Sequence, residues 1–77
     1  MANIPIYILS DDSRWMIRTF GEVNLAETLL GDRVKYKILL ANPIELGGDK
    51  TYRVEIPSKK VIFRGWLSKD RKRIIED

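Results

Sequence analysis

One stretch, Arg33–Ala41, alternates basic and apolar side chains over its first six positions, and this alternation constrains the fold more than any other feature. A period of two residues is typical of a β-strand with one face in the core and one face in water. The sequence therefore predicts a central strand whose apolar face the rest of the chain must cover. The basic side chains of its other face are Arg33, Lys35 and Lys37.

The chain has 77 residues and contains neither cysteine nor histidine. This length predicts one domain over residues 1–77, with a small core. The two absences exclude thiol chemistry, imidazole acid–base chemistry and thiolate or imidazole zinc sites. A cysteine-free chain is typical of a reducing compartment, and the first ten residues lack a basic segment followed by an apolar one. We therefore expect a cytoplasmic protein with no membrane association.

Four further segments have the composition of strands. Ile4–Leu9 and Arg14–Phe20 flank a turn of short polar side chains, Ser10–Ser13, and are expected to form an antiparallel hairpin. Thr51–Ile56 alternates cleanly, and Lys60–Leu67 follows it as the last strand. Within that last strand Gly65 interrupts the alternation, which indicates a bulge or a barrel corner.

Three segments do not follow a strand pattern. Asn24–Gly31 carries helix-capping signals and predicts a helix of one to two turns, with an extended connector as the alternative. Residues 42–50 form the longest predicted loop. The charged segment Ser68–Asp77 is expected either to dock Ile74 and Ile75 as a short helical turn or to be a frayed tail.

Together these elements predict a mainly β domain with one short helix. Five antiparallel strands of this length favour a small, partly open barrel or a curled sheet, as in SH3-like and OB-like architectures. The predicted core consists of the inward-facing residues Ile6, Ile8, Ile17, Val34, Tyr36, Ile38, Leu40, Val54, Ile56, Val61 and Phe63.

The net charge of +3 is distributed unevenly. Residues 50–73 carry nine basic and two acidic side chains, a net of +7, whereas residues 1–49 carry five basic and seven acidic ones. Such an imbalance can mark a surface for a polyanion. Its alternative explanation is that a small β domain keeps its strands soluble with lysine and arginine.

No pattern typical of catalysis is present. Asp11 and Asp12 are adjacent in a predicted turn, where carboxylates bond to the local backbone. Asp49 follows two glycines but lacks the spacing of a phosphate-binding or calcium-binding loop. The serines have no histidine to activate them. We expect a protein that is not an enzyme and needs no cofactor or metal.

A nucleic-acid-binding surface is the first functional hypothesis. Small barrels hold single strands with cations under the phosphates and aromatic rings under the bases. The predicted outer sheet face offers both kinds of side chain. The candidate binding residues are Arg33, Lys35, Lys37, Arg53, Arg64 and Trp66, with Trp15 as a second ring, unless the two tryptophans belong to the core.

The second hypothesis is a protein-interaction module, such as an inhibitor, adaptor or small subunit. An exposed strand edge can pair with a partner strand. The loop at residues 42–50 would add Ile44 and Leu46 as apolar anchors, provided that both are exposed.

Overall fold

The computed structural model describes residues 2–27 and 34–77 as a closed antiparallel β-barrel. Its strands are β1 (Ile4–Leu9), β2 (Met16–Glu27), β3 (Val34–Leu40), β4 (Lys50–Ile56), β5 (Val61–Leu67) and β6 (Arg73–Glu76), with a single 3₁₀ turn at Pro57–Lys59. The order of the strands around the barrel is β1-β2-β3-β6-β5-β4, with β4 pairing back onto β1. The mainly β prediction is confirmed, but the described chain has six strands rather than five, and the barrel is closed.

The sixth strand corrects the prediction for the C-terminal segment. Instead of a helical turn or a tail, β6 lies between β3 and β5 and pairs with both. Ile74 lies opposite Ile38 on one side and opposite Leu67 on the other, and it is fully buried. A segment of four residues is too short for its periodicity to reveal that one isoleucine faces the core and the next faces water.

The predicted helix at Asn24–Gly31 is also wrong in its first half. Residues 24–27 continue β2 and pair with β3, from Asn24 opposite Lys37 to Glu27 opposite Val34. Residues 28–31 lie outside the described residues. A helix of two turns is marginal without tertiary packing, so the continuous ladder of this hairpin outweighs the local capping signals.

The barrel interior confirms most of the predicted core. Six of the predicted residues are buried, and Ile17, Tyr36, Val61 and Phe63 are partly buried. Val34 is 50% exposed because β6 pairs only with Lys37–Leu39, so the β2–β3 hairpin extends beyond the rest of the barrel at this point. The buried core is Ile6, Ile8, Ile38, Leu40, Ile44, Val54, Ile56, Leu67 and Ile74, of which Ile44, Leu67 and Ile74 were not predicted.

Gly65 occupies an inward position of β5 and does not form the predicted bulge. The pairing of β4 with β5 is regular on both sides of Tyr52 and Gly65. A Cβ atom on Gly65 would lie 2.6 Å from Cγ2 of Ile74, closer than two carbon atoms can approach. The glycine therefore provides the space in which the buried side chain of β6 packs.

Two turns at one end of the barrel have the same internal structure. Ser10–Trp15 joins β1 to β2, and Ser68–Lys72 joins β5 to β6. In each turn the serine hydroxyl donates to the aspartate two residues later, and that carboxylate accepts the backbone N–H two residues beyond. The fourth residue of each turn, Ser13 or Arg71, has a positive φ, of 59° and 63° respectively. Both aspartates are thus part of the turn structure.

These bonds make the second turn sensitive to acid. Hydrogen bonds from the Ser68 hydroxyl and the Lys72 backbone, together with the Arg73 guanidinium, lower the pKa of Asp70 from 3.8 to about 2. The unfolded chain therefore binds more protons than the folded one between these pH values. We expect the contribution of Asp70 to stability to be complete above about pH 4 and to be lost as the pH falls through about 2.

Urea unfolding of the wild type and of Asp70→Asn, at pH values from about 6 to about 2, measures this contribution. The amide keeps the shape of the turn but cannot titrate, so the difference between the two midpoints should shrink as the pH falls. A difference that stays constant over the whole range would contradict the prediction.

Candidate nucleic-acid interface

The structure places five of the six candidate binding residues on the outside of the barrel. Lys35 and Lys37 lie on the outer side of β3, whereas Arg33 lies outside the described residues. The remaining candidates lie on β4 and β5, and β4 is three strands away from β3 in the closed order. The expected single basic sheet face is therefore divided by the curvature of the barrel, and Lys35 is separated from the arginines.

One continuous outer surface nevertheless joins most of the candidates. In the strand register Lys37, Ile75, Trp66 and Thr51 follow one another across β3, β6, β5 and β4. With neighbouring strands about 4.8 Å apart, the backbones of Lys37 and Trp66 are about 10 Å from each other. We call this surface the Trp66 face and define it by the exposed side chains of Lys37, Leu39, Arg53, Arg64, Trp66, Arg73 and Ile75.

Exposed apolar side chains form the centre of the Trp66 face. Trp66 and its cross-strand neighbour Ile75 are each 46% exposed, and Leu39 is exposed to the same extent. Trp15 is 40% exposed, so neither tryptophan belongs to the core. The alternative of two core tryptophans is therefore wrong, and Trp66 presents a ring on which a planar group can stack.

Two arginines lie directly opposite one another beside this ring. Arg53 of β4 and Arg64 of β5 are register partners, an arrangement of like charges that destabilises a sheet. Arg64 Nη2 lies 3.1 Å from Asp11 Oδ1, and Arg53 Nη1 donates to Ser13 Oγ at 3.1 Å. Together with Ile62 and Phe63, the pair lines a groove of about 260 Å³. The β1–β2 turn thus supplies the groups that balance the two guanidinium groups.

The other margin of the face is also basic. Arg73 is the register partner of Leu39 and forms an ion pair with Asp70 at 2.8 Å. Within the described part of the chain, Lys37 has no carboxylate partner. These residues border a groove of about 430 Å³ between β2, β3 and β6, in which apolar and cationic side chains alternate.

Sequence reasoning missed Arg73, Ile75 and Leu39 as members of this surface. Once the segment after Ser68 was interpreted as a tail or a helical turn, Arg73 and Ile75 could not be placed on a sheet. The only available signal was that Arg73 and Ile75 flank the apolar Ile74, so that a strand would place both on the face opposite to it. A pattern over three residues has little weight by itself, which explains the omission.

A second aromatic surface lies on β1 and β2. Tyr7, Arg18 and Phe20 line a groove of about 360 Å³ there, and Phe20 is more exposed than Trp66. Its charge is less suitable for a polyanion, because Arg18 is accompanied by Glu22 and Glu55 on neighbouring outward positions, a net of −1. The Trp66 face carries four cations against the carboxylates of Asp11 and Asp70, a net of +2, and Glu55 and Glu22 border this face as well, beside Arg53 and Leu39 respectively.

The acidic side chains considered for catalysis have separate local roles. Asp12 accepts bonds from Ser10 and from the Arg14 backbone, which lower its pKa, and it pairs with the Arg14 guanidinium at 3.0 Å. Asp11 pairs with Arg64. Within the described chain Asp49 bonds through its backbone, whose N–H donates to the carbonyl of Leu67, and not through its carboxylate. Among the described residues, no group of three carboxylates is placed to hold a metal ion.

The loop proposed as a protein-binding element is packed against the barrel. Ile44 is only 6% exposed and belongs to the core, and its backbone N–H donates to the carbonyl of Arg71 at 3.2 Å. Leu46 is partly buried against the same core. The condition under which these two residues would be exposed anchors is therefore not met. A sheet edge does remain on β2. Its pairing with β1 ends at Gly21, so from Glu22 onwards β2 pairs only with β3 in the described chain and its other edge has no partner strand there.

Comparison with protein-family models, with curated proteins and with solved structures found no match for this chain. Within residues 2–27 and 34–77, no helix has the length and apolar character that a membrane crossing requires.

Proposed function

We propose that this domain binds single-stranded nucleic acid through the Trp66 face, without strong sequence preference and without catalysing a reaction. The observation that carries the proposal is the exposed ring of Trp66, which has apolar Ile75 beside it and Arg64 two residues away on the same side of β5. Stacking on an aromatic ring, flanked by cations, is the usual way in which small barrels hold unpaired bases.

The two basic margins give such a strand a path across the barrel. A base on Trp66 would have its neighbouring phosphates near Arg53 and Arg64 on one side and near Lys37 and Arg73 on the other. The strand would then run across β3, β6, β5 and β4, the order in which the register places these residues. Stacking and phosphate contacts read no base edges, which supports binding with little sequence preference.

A titration with labelled oligonucleotides of about ten residues, single-stranded and duplex, at several salt concentrations tests the proposal. We expect the single strand to bind more tightly, because a base inside a duplex cannot reach Trp66. The logarithm of the association constant should fall with the logarithm of the salt concentration, with a slope of about −0.7 for each phosphate contacted. Because the face has four cations, the slope should be no steeper than about −3.

Binding of a partner protein at the outer edge of β2 is the rival function, supported by Leu25, which is 64% exposed beside that edge. Under this alternative, neither oligonucleotide binds near physiological salt, and the titration curves are flat. Flat curves for both oligonucleotides would overturn the nucleic-acid proposal.

A further inference from the structure

Asp11 occupies the border between two grooves. One groove, of about 340 Å³, is lined by Trp15, Tyr52 and Lys50, and the other is the groove of Arg53 and Arg64. Asp11 lines both of them, and its carboxylate reaches Arg64 at 3.1 Å. An anionic group therefore lies where an aromatic cleft meets a pair of guanidinium groups.

The turn that carries Asp11 does not need an acid at this position. The bonds that define the turn come from Ser10 and Asp12, and in the described chain the carboxylate of Asp11 bonds to Arg64 and not within the turn. The second turn supplies a direct comparison, because Lys69 stands at the equivalent position and the turn has the same bonds. The contact with Arg64 is therefore the interaction of the Asp11 carboxylate that the structure of the turn does not explain.

The contact has the chemistry of phosphate recognition. Guanidinium groups bind carboxylate and phosphate oxygens with the same donor geometry. The side chains of Arg64 and Asp11 are 55% and 63% exposed, and ion pairs as exposed as this one are weak and easily exchanged. Arg53, opposite Arg64, and the hydroxyl of Ser13 add two further groups that can bond to a phosphate at the same place.

From this arrangement we infer that Arg53, Arg64 and Ser13 form a phosphate subsite, and that Asp11 fills it in the free protein as an internal substitute for a backbone phosphate. The inference rests on the proposed function, because the phosphate is that of the bound strand. Binding of the strand displaces the carboxylate of Asp11 from Arg64, so Asp11 lowers the affinity for the strand. At this subsite the phosphate displaces a carboxylate instead of a salt counterion, so this contact does not contribute to the salt dependence.

The variant Asp11→Asn tests this subsite, with Glu22→Gln as the charge-matched control. Glu22 is on β2, the strand opposite β5 in the closed order. For Asp11→Asn and a labelled oligothymidylate we expect about three- to tenfold tighter binding and a salt slope steeper by about 0.7, which is one phosphate contact. Glu22 borders the Trp66 face at Leu39 but forms no ion pair with its cations in the described chain. Glu22→Gln should therefore change the affinity less than about twofold, because it releases no guanidinium.

A double-mutant cycle assigns the gain to Arg64. In the background Arg64→Gln, the further change Asp11→Asn should leave the affinity almost unaltered, since the guanidinium that Asp11 occupies is gone and Arg53 bonds to Ser13 instead. Circular dichroism and thermal melting establish that each variant is folded. Suppose that the wild type binds with a salt-dependent affinity. The subsite is then overturned, and the proposed function stands, if Asp11→Asn binds no more tightly than the wild type or if Glu22→Gln gains as much affinity as Asp11→Asn. If neither the wild type nor Asp11→Asn binds, both are overturned.

Discussion

Replacing Ile74 with alanine is expected to lower the free energy of unfolding by about 2–5 kcal/mol, a large part of the stability of a domain this small. Ile74 is 1% exposed and packs in the space left by Gly65, between β3 and β5. Alanine would leave a cavity at the junction that closes the barrel. Urea unfolding followed by tryptophan fluorescence or circular dichroism gives the change directly.

The neighbouring substitution Ile75→Ala is the matched control. It removes the same atoms from the same strand, but from a side chain that is 46% exposed on the outer side. We expect a loss well below that of Ile74→Ala, of about 0.5–1 kcal/mol. Equal small losses for both variants would mean that residues 73–76 are not a strand of the barrel.

Replacing Trp66 with alanine is expected to weaken the binding of a single-stranded oligonucleotide by about 1–3 kcal/mol, or about 5- to 150-fold in affinity. The ring is the central stacking surface of the Trp66 face, whereas the cations around it remain. The salt slope should therefore stay unchanged while the affinity falls, which separates the loss of stacking from the loss of a phosphate contact.

Trp66→Phe supplies the control for this experiment. Phenylalanine keeps a flat ring at the same register position and should retain most of the affinity that alanine loses. Thermal melting of both variants shows whether an effect on binding comes from the fold. Wild-type affinity in Trp66→Ala would remove Trp66 from the binding site.

The parts of the fold that the sequence predicted correctly are those in which one periodic pattern extends over six or more residues. The described part of Arg33–Ala41 forms β3 over Val34–Leu40, Thr51–Ile56 lies within β4, and both strands have the expected faces. Asn24–Glu27 was misassigned because its capping signals are local, whereas its ladder with β3 depends on residues about ten positions away. Val34 was misassigned because alternation defines a face but does not show where a neighbouring strand ends.

Alternation defines the face of a strand but not its neighbouring strands, and for this reason only part of the candidate site was predicted correctly. Periodicity placed Lys37, Arg64 and Trp66 on outer faces, which is correct. It could not show that β6 separates β3 from β5, and so Ile75 was missed while Lys35 was given a place beside the arginines. Comparison of Ser10–Arg14 with Ser68–Lys72 offered one further signal, because both have serine first, aspartate third and a basic residue fifth. A hairpin at the first segment then implies a hairpin at the second.

The position of β6 between β3 and β5 also has a consequence for the kinetics of folding. Ile38 and Ile74 are register partners although 36 residues separate them along the chain, and in the pairing of β1 with β4 the partners Ile8 and Val54 are 46 residues apart. Contacts of such sequence separation slow the folding of small domains. Until residues 73–76 have docked, β3 and β5 each present an unpaired edge that a second molecule can occupy. A chain delayed at this step is therefore at risk of intermolecular strand exchange.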